Sequence, residues 1–214
     1  AADRLSYAQL LLFTPGERPP PFRRSQLMSS QVSVTIYGCR GSIPVTGPEF
    51  NRYGGNTSCV VVRAGEREIV LDAGSGVINY GRDALARSRE SGNPIRTTIL
   101  LSHLHFDHIL GLPYFSPIFD PTSTIHLFGP RSSRFDTMEE AFQNFIQSPY
   151  YPVALHDMYA DKYFEEIGQA DVLYFVAGES APRKVRAYHP DHRHLIPDED
   201  QIEAEVRCLR GYNH

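Results

Sequence analysis

A layered α+β or mixed α/β domain is what three features of this chain point to. Short apolar runs of strand length recur from residue 31 onward, two segments of helical period stand between them, and no internal repeat is present. At 214 residues the chain can bury a sizeable core, and a single domain is expected from residue 32 on.

Residues 1–31 read as an N-terminal extension or linker. "TPGERPPPFRRSQ" is rich in Pro and Arg and has no hydrophobic period, so it can bury little. "LSYAQLLLF" has the apolar look of a signal-peptide core, but Asp3 flanks it and no small-residue cleavage site follows. Met28, just before the first good strand, is a candidate translation start.

From there the elements follow in order. "VSVTIYG" (32–38) alternates apolar and polar residues and is β-branched, as a half-buried strand requires. "SCVVVRAG" (58–65) and "REIVLDAG" (67–74) are two more strands, with "AGER" as the hairpin turn between them. "INYGRDALARSRESG" (78–92) is a helix closed by a glycine, and "IRTTILLSH" (95–103) is a buried strand that runs into a cluster of histidines. "STIHLFGP" (123–130) is a further strand. In "DTMEEAFQNFIQS", Asp136 with Glu139 three residues on predicts a capping box. Phe135, Met138, Phe142, Phe145 and Ile146 then share one helical face that is expected to pack into the core. After Tyr150 the clearest strands are "VLYFVAG" and "AEVRCLRGYNH".

Composition sets limits on function. Hydrophobic content of 41%, charged content of 21% and a net charge of −4 describe an ordinary globular chain without the basic excess of a nucleic-acid surface. Cys39, Cys59 and Cys208 are widely spaced and form neither a CxxC pair nor an even disulfide framework, which favours a reducing, cytoplasmic setting. No apolar run is long enough to span a bilayer.

The informative stretch is "LLSHLHFDHILG" (100–111), which puts three of the nine histidines and an aspartate within six residues. In an extended segment His103 and His105 present two imidazoles to one side, a ligand pair for one metal ion. If the chain turns into a helix at Asp107, its carboxylate and His108 come round beside them and can hold a second ion a few ångströms away. Nitrogen and carboxylate donors without thiolates favour Zn²⁺, with Mn²⁺ or Fe possible. Such a pair of ions polarises a phosphoryl or carbonyl oxygen and generates a bridging hydroxide near neutral pH. The competing reading makes these residues surface-loop histidines, or core histidines satisfied by hydrogen bonds. His126 and His156 stand alone and read as structural. "HPDHRH" (189–194) reads as a solvated loop and as a reserve source of ligands.

"HLHFDH" resembles the HxHxDH signature of the metallo-β-lactamase superfamily, and "IVLDAGSG" (69–76) resembles the strand-Asp-Gly segment that precedes it there. The upstream "GCRGSIPVTGPEFNRYGGNTSCVVV" (38–62) is similar to the phosphodiesterase-like branch that includes RNase Z and phosphoribosyl cyclic phosphodiesterase. The resemblance implies a four-layer αββα sandwich with mixed β-sheets over residues 32–214, its C-terminal part missing. It implies a binuclear zinc site with His103 and His105 on the first ion and Asp107 and His108 on the second. Asp72 would orient a ligand histidine or the metal-bound water, the competing role being that of a buried Asp capping a turn. Gly54, Gly55 and Asn56 would form a turn near the site mouth. The family's next histidine matches His214, where the chain stops. The bridging Asp and last His of the family then have no counterpart, so weak occupancy of the second metal is expected, with fewer than two metal equivalents per chain.

The function so implied is that of a metal-dependent hydrolase, a phosphodiesterase acting on a small or cyclic phosphodiester. Asp107 and Asp72 are the catalytic candidates, Asp107 as a proton acceptor that remains a ligand. The same site could attack a carbonyl carbon in a lactone, thioester or β-lactam. A third possibility is an inactive metal-binding fragment. A small-molecule substrate fits better than nucleic acid, because neither the long flexible arm nor the basic surface with which RNase Z holds tRNA is visible. A homodimer is possible, and no membrane partner is expected.

Overall fold

The computed structural model describes residues 8–11, 32–64, 67–186 and 190–207. Among the described residues, ten strands form two sheets. β1 (Ala8–Leu11) lies within the expected extension and β2 (Val32–Gly38) is the first predicted strand. They are followed by β3 (Cys59–Ala64), β4 (Arg67–Leu71), helix α1 (Val77–Ser91), β5 (Arg96–Leu100) and the short helix α2 (Phe106–Ile109). β6 (Thr124–Gly129), α3 (Met138–Phe145), β7 (Asp161–Glu166), β8 (Asp171–Val176), β9 (Arg183–Arg186) and β10 (Ile202–Arg207) complete the order. This is an α+β arrangement on mixed sheets. Two compact units are distinguished among the described residues, 34–63 with 68–166, and 8–11, 32–33, 64, 67, 167–186 and 190–207.

The larger unit is built on the six-stranded sheet, in the order β2-β3-β4-β5-β6-β7. β4, β5, β6 and β7 pair parallel with one another in turn, with Leu71 opposite Leu100 and Leu100 opposite Phe128. Parallel pairing needs a crossover, and α1 supplies it between β4 and β5 while α3 lies between β6 and β7. A parallel sheet covered on both faces reads as a nearly continuous apolar run, which is how β5 and β6 appear in the burial pattern. Helix α1 buries Val77, Tyr80, Gly81 and Ala84, one face at helical spacing, and closes at Gly92 in the left-handed region (φ 73°). The core of this unit gathers Val61, Val70, Ile99, Leu127, Phe115 and Phe142, among others. In the smaller unit the order is β1-β10-β8-β9, with β1 parallel and the other pairs antiparallel. Its core is Val172, Tyr174, Val176, Val185 and Ile202.

Several sequence expectations shift in detail. The strand expected over 95–103 ends at Leu100, so His103 to His105 belong to an irregular link into α2, which begins at Phe106 rather than Asp107. The α3 cap is Thr137, whose hydroxyl accepts from the Glu140 N–H (3.1 Å), while the Glu140 carboxylate accepts from the Asp136 N–H (2.9 Å). The capping box therefore sits one residue later than Asp136/Glu139, because Thr137 has the extended backbone a cap requires and carries the first helical residue, Met138, into the core. Met138, Phe142 and Ile146 are fully buried as expected, with Phe135 and Phe145 half-buried. β7 and β9 carry too little apolar alternation to have been read as strands. The 64–67 turn includes residues outside those described. Cys39 and Cys59 are free thiols, and burial pushes the Cys59 thiol up to about 12, leaving it inert. Cys208 lies outside the described residues. No helix among the described residues is long and apolar enough to cross a membrane.

Candidate metal centre

Parallel neighbours release their chains at the same edge of the sheet, and β4 and β5 are parallel neighbours. Asp72 leaves the end of β4 and Ser102 to His108 leave the end of β5, so the two sequence motifs meet there. The Asp72 N–H still donates to Leu100 O (2.9 Å), after which the chain turns sharply, with Asp72 in the left-handed region (φ 64°). Aspartate tolerates that conformation better than most residues.

The turn after Asp72 is locked to α2 through the backbone. Ala73 N–H donates to His108 O (2.7 Å) and Gly111 N–H to Ala73 O (2.9 Å). A side chain at Gly74 would come within 2.3 Å of Asp107 O, and one at Gly111 within 2.1 Å of Gly74 O. Both glycines are therefore required for the close approach that seats the Asp72 turn against the histidine helix.

Within this frame the side chains converge. The His103 and His105 ring centroids lie 4.4 Å apart and those of His103 and His108 lie 4.0 Å apart. His108 Nε2 is 3.4 Å from Asp107 Oδ2. Asp72, almost wholly buried, saturates its carboxylate. Oδ1 accepts from Ser102 N–H and Ser102 Oγ (2.8 Å each), while Oδ2 accepts from Ser58 Oγ (3.0 Å) and meets His108 Nδ1 at 2.7 Å. Ser102 Oγ also lies 3.0 Å from His103 Nδ1. With Nδ1 engaged on both rings, Nε2 is the nitrogen each has to offer a ligand, the usual arrangement of a carboxylate or hydroxyl behind a metal-binding imidazole.

The electrostatics suit the same role. Burial, and then the neighbouring His108 and His105, hold the His103 imidazole below the usual histidine range, which keeps its lone pair available. Asp107 is held below the ordinary aspartate range first by the Ser42 N–H, which donates to Oδ2 at 2.7 Å. Ser42 reaches it from a left-handed conformation (φ 68°) in the loop after β2. Asn56 ties that loop down, its carbonyl accepting from Cys39 and Arg40 N–H and its Oδ1 from Ser75 Oγ (3.0 Å).

The donor chemistry, three imidazoles and a carboxylate, fits a borderline divalent ion. Among the described residues, however, no group of three or more His, Cys, Asp or Glu is set as a finished metal cage. His214 lies outside the described residues. His192 and His194 of the reserve segment fall on a 3-10 helix (Pro190–Leu195) in the smaller unit, and His189 is not described. His126 is buried against Tyr163, and His156 sits exposed beside Asp157. The contributions of Ser42, Ser58 and Ser102 were not apparent in the sequence. Serine is too common to signal by itself, and only the spacing of Ser102 directly before His103 could have drawn attention.

The family profile described as the metallo-beta-lactamase superfamily matches residues 52–206. The chain belongs to this superfamily. Members generally bind divalent metal ions, commonly zinc. A curated relative, the uncharacterized protein ML1173 of Mycobacterium leprae (strain TN), is 39% identical over 83 residues, covering 38% of this chain. The chain spans about a quarter (24%) of that relative's length. Among solved structures, the metallo-beta-lactamase fold protein YhfI of Bacillus subtilis is similar at 16% identity, over 72% of this chain and 57% of that one, with a TM-score of 0.42. A diphosphatase of the PhnP family (16%, 72% and 63%, TM-score 0.40) and the short form of human tRNase Z (15%, 72% and 63%, TM-score 0.43) are similar to the same extent.

Proposed function

We propose that this superfamily member is a metal-dependent phosphodiesterase acting on a small or cyclic phosphodiester, with zinc as the first candidate ion. The observation that carries the reading is the contact between Ser42 N–H and the Asp107 carboxylate. It joins the loop within 38–62, the segment similar to the phosphodiesterase-like branch, to the metal-candidate motif itself.

In this reading His103, His105, Asp107 and His108 hold the metal through Nε2 and carboxylate oxygens. A divalent ion bound there would supply Lewis acidity toward a phosphoryl oxygen and lower the pKa of a water. The protein's own groups do the positioning. Asp72 fixes the tautomer and tilt of His108, Ser102 fixes His103, and the Ser42 N–H keeps Asp107 ionised. Hydrolysis forms one P–O bond from water and breaks one ester P–O bond, with the proton ending on the leaving oxygen. Asp107, a carboxylate in the site, is the group placed to accept it in transit. Twenty-one basic against 25 acidic residues give no general attraction for a polyanion, which favours a small substrate.

A substrate panel tests this. With Zn²⁺ or Mn²⁺ supplied, the protein should cleave bis-p-nitrophenyl phosphate in preference to a lactone and a cephalosporin. Turnover of the carbonyl substrates alone would replace the phosphodiester reading with an acyl-hydrolase one.

A further inference from the structure

Beside the histidine cluster the larger unit has an open cavity of about 260 Å³ whose aromatic walls are Phe106, Tyr114, Phe145, Tyr150 and Tyr151, with Leu110 and Pro113 between them. Phe106 stands between His105 and Asp107 in the motif, so one wall of the cavity and two ligand candidates share a single turn of chain. The wall residues are not core side chains that happen to meet. Phe106, Tyr114 and Tyr150 are 63%, 54% and 79% exposed, an unusual outlay of aromatic surface next to a polar site.

The rings are arranged in two edge-to-face pairs, Tyr114 with Tyr151 at 5.3 Å and Phe106 with Phe145 at 6.1 Å. Tyr151 is pinned by its hydroxyl, which donates to Pro113 O (2.5 Å). Edge-to-face pairing uses one ring's edge and another's face, and leaves aromatic surface for a flat guest. No lining residue is charged, so no ion pair selects a charged guest. The volume lies below the roughly 300–1,000 Å³ of a pocket for a drug-sized molecule, and so suits one ring system. The cavity's seven lining residues are also far fewer than the roughly 20–30 a side of a stable protein contact.

We propose that this cavity binds a single nucleobase, the planar ring carried by the phosphodiester whose phosphate lies at the metal site. This rests on the phosphodiesterase reading for the second half of the statement only. Stacking on tyrosine and phenylalanine tolerates any base, because every base has a π-face. The hydroxyls of Tyr114 and Tyr150 can hydrogen-bond the ring edge, which a plain hydrocarbon ring would not reward.

Two measurements on the full chain separate the parts. In saturation-transfer NMR with adenosine, which has no phosphate, the base protons should be saturated, and Tyr114→Ala and Tyr150→Ala should abolish this. Both positions are exposed, so neither substitution opens the core. With metal supplied, the ratio of kcat/KM for adenosine 2′,3′-cyclic phosphate to that for glycerol 1,2-cyclic phosphate should fall about tenfold in each variant. Ring saturation without turnover of either substrate would uphold the base pocket and remove the phosphodiesterase reading. An unsaturated ring, an unchanged ratio, or variants that alter only self-association would overturn the pocket.

Discussion

Asp72 combines two demands in one residue. Its backbone must turn through a left-handed conformation, and its carboxylate must accept hydrogen bonds from Ser58, Ser102 and His108 at once. Asn adopts the same backbone readily but offers an amide group where one oxygen was, so Asp72→Asn isolates the second demand. Zinc affinity in a competition titration should fall 10- to 100-fold, about the loss seen when a partner behind a ligand is removed. His126 shows the contrary use of a histidine. Burial holds its imidazole below the usual 6.5, with Glu165 pulling it back upward, and its ring stacks on Tyr163 at 4.8 Å. Between the lowered folded pKa and 6.5 the unfolded chain binds more protons than the folded one. Stability present above pH 6.5 is therefore lost as pH falls below it. Urea midpoints at pH 7.5 and pH 5.5 should differ less in His126→Phe than in the wild type. The histidine motif was legible in the sequence because its spacing is specific, whereas the serines around it were not, because Ser42 meets Asp107 across 65 residues and Ser102 meets Asp72 across 30.

The elements were legible where local pattern decides them. Apolar continuity marks β5 and β6, and a glycine closes α1; alternation locates β2, but its apolar side chains Val32, Val34 and Ile36 are the exposed ones, against the half-buried face expected. Ends were less so. Asp136 and Thr137 are both good caps by residue type, and only the placement of Met138 in the core selects Thr137. Thr137→Ala should destabilise the larger unit by about 1 kcal/mol, and Asp136→Ala by at most a few tenths, in urea denaturation followed by circular dichroism. Equal effects would return the cap to Asp136. The early end of β5 is of the same kind. His103 and His105 need not alternate along a strand, because the irregular link brings their rings together at 4.4 Å by another path.

At the scale of the whole molecule, the parallel order β4-β5-β6-β7 is what builds the site, since it sets the ends of β4 and β5 side by side. An ion held by the residues that follow β5, with His108 oriented by Asp72 at the end of β4, would bind the folded state and not the unfolded chain. At a hundredfold excess over its dissociation constant it should stabilise by about 2.7 kcal/mol and raise the melting temperature by roughly 5–10 °C. Thermal scans in Zn²⁺ and in EDTA should show that difference, and His105→Ala should remove most of it. A shift that survives the substitution would place the ion elsewhere.

The sequence by itself determined the superfamily and most of the strands, since these are carried by spacing and hydrophobic period within a dozen residues. Only the tertiary structure decided that Asp72 engages His108, that Ser42 holds Asp107, and that five aromatic side chains from separate segments wall one cavity. Each of those depends on strand order and on backbone approaches such as Gly74 to Asp107. Such contacts arise between residues far apart in the chain, and no local pattern encodes them.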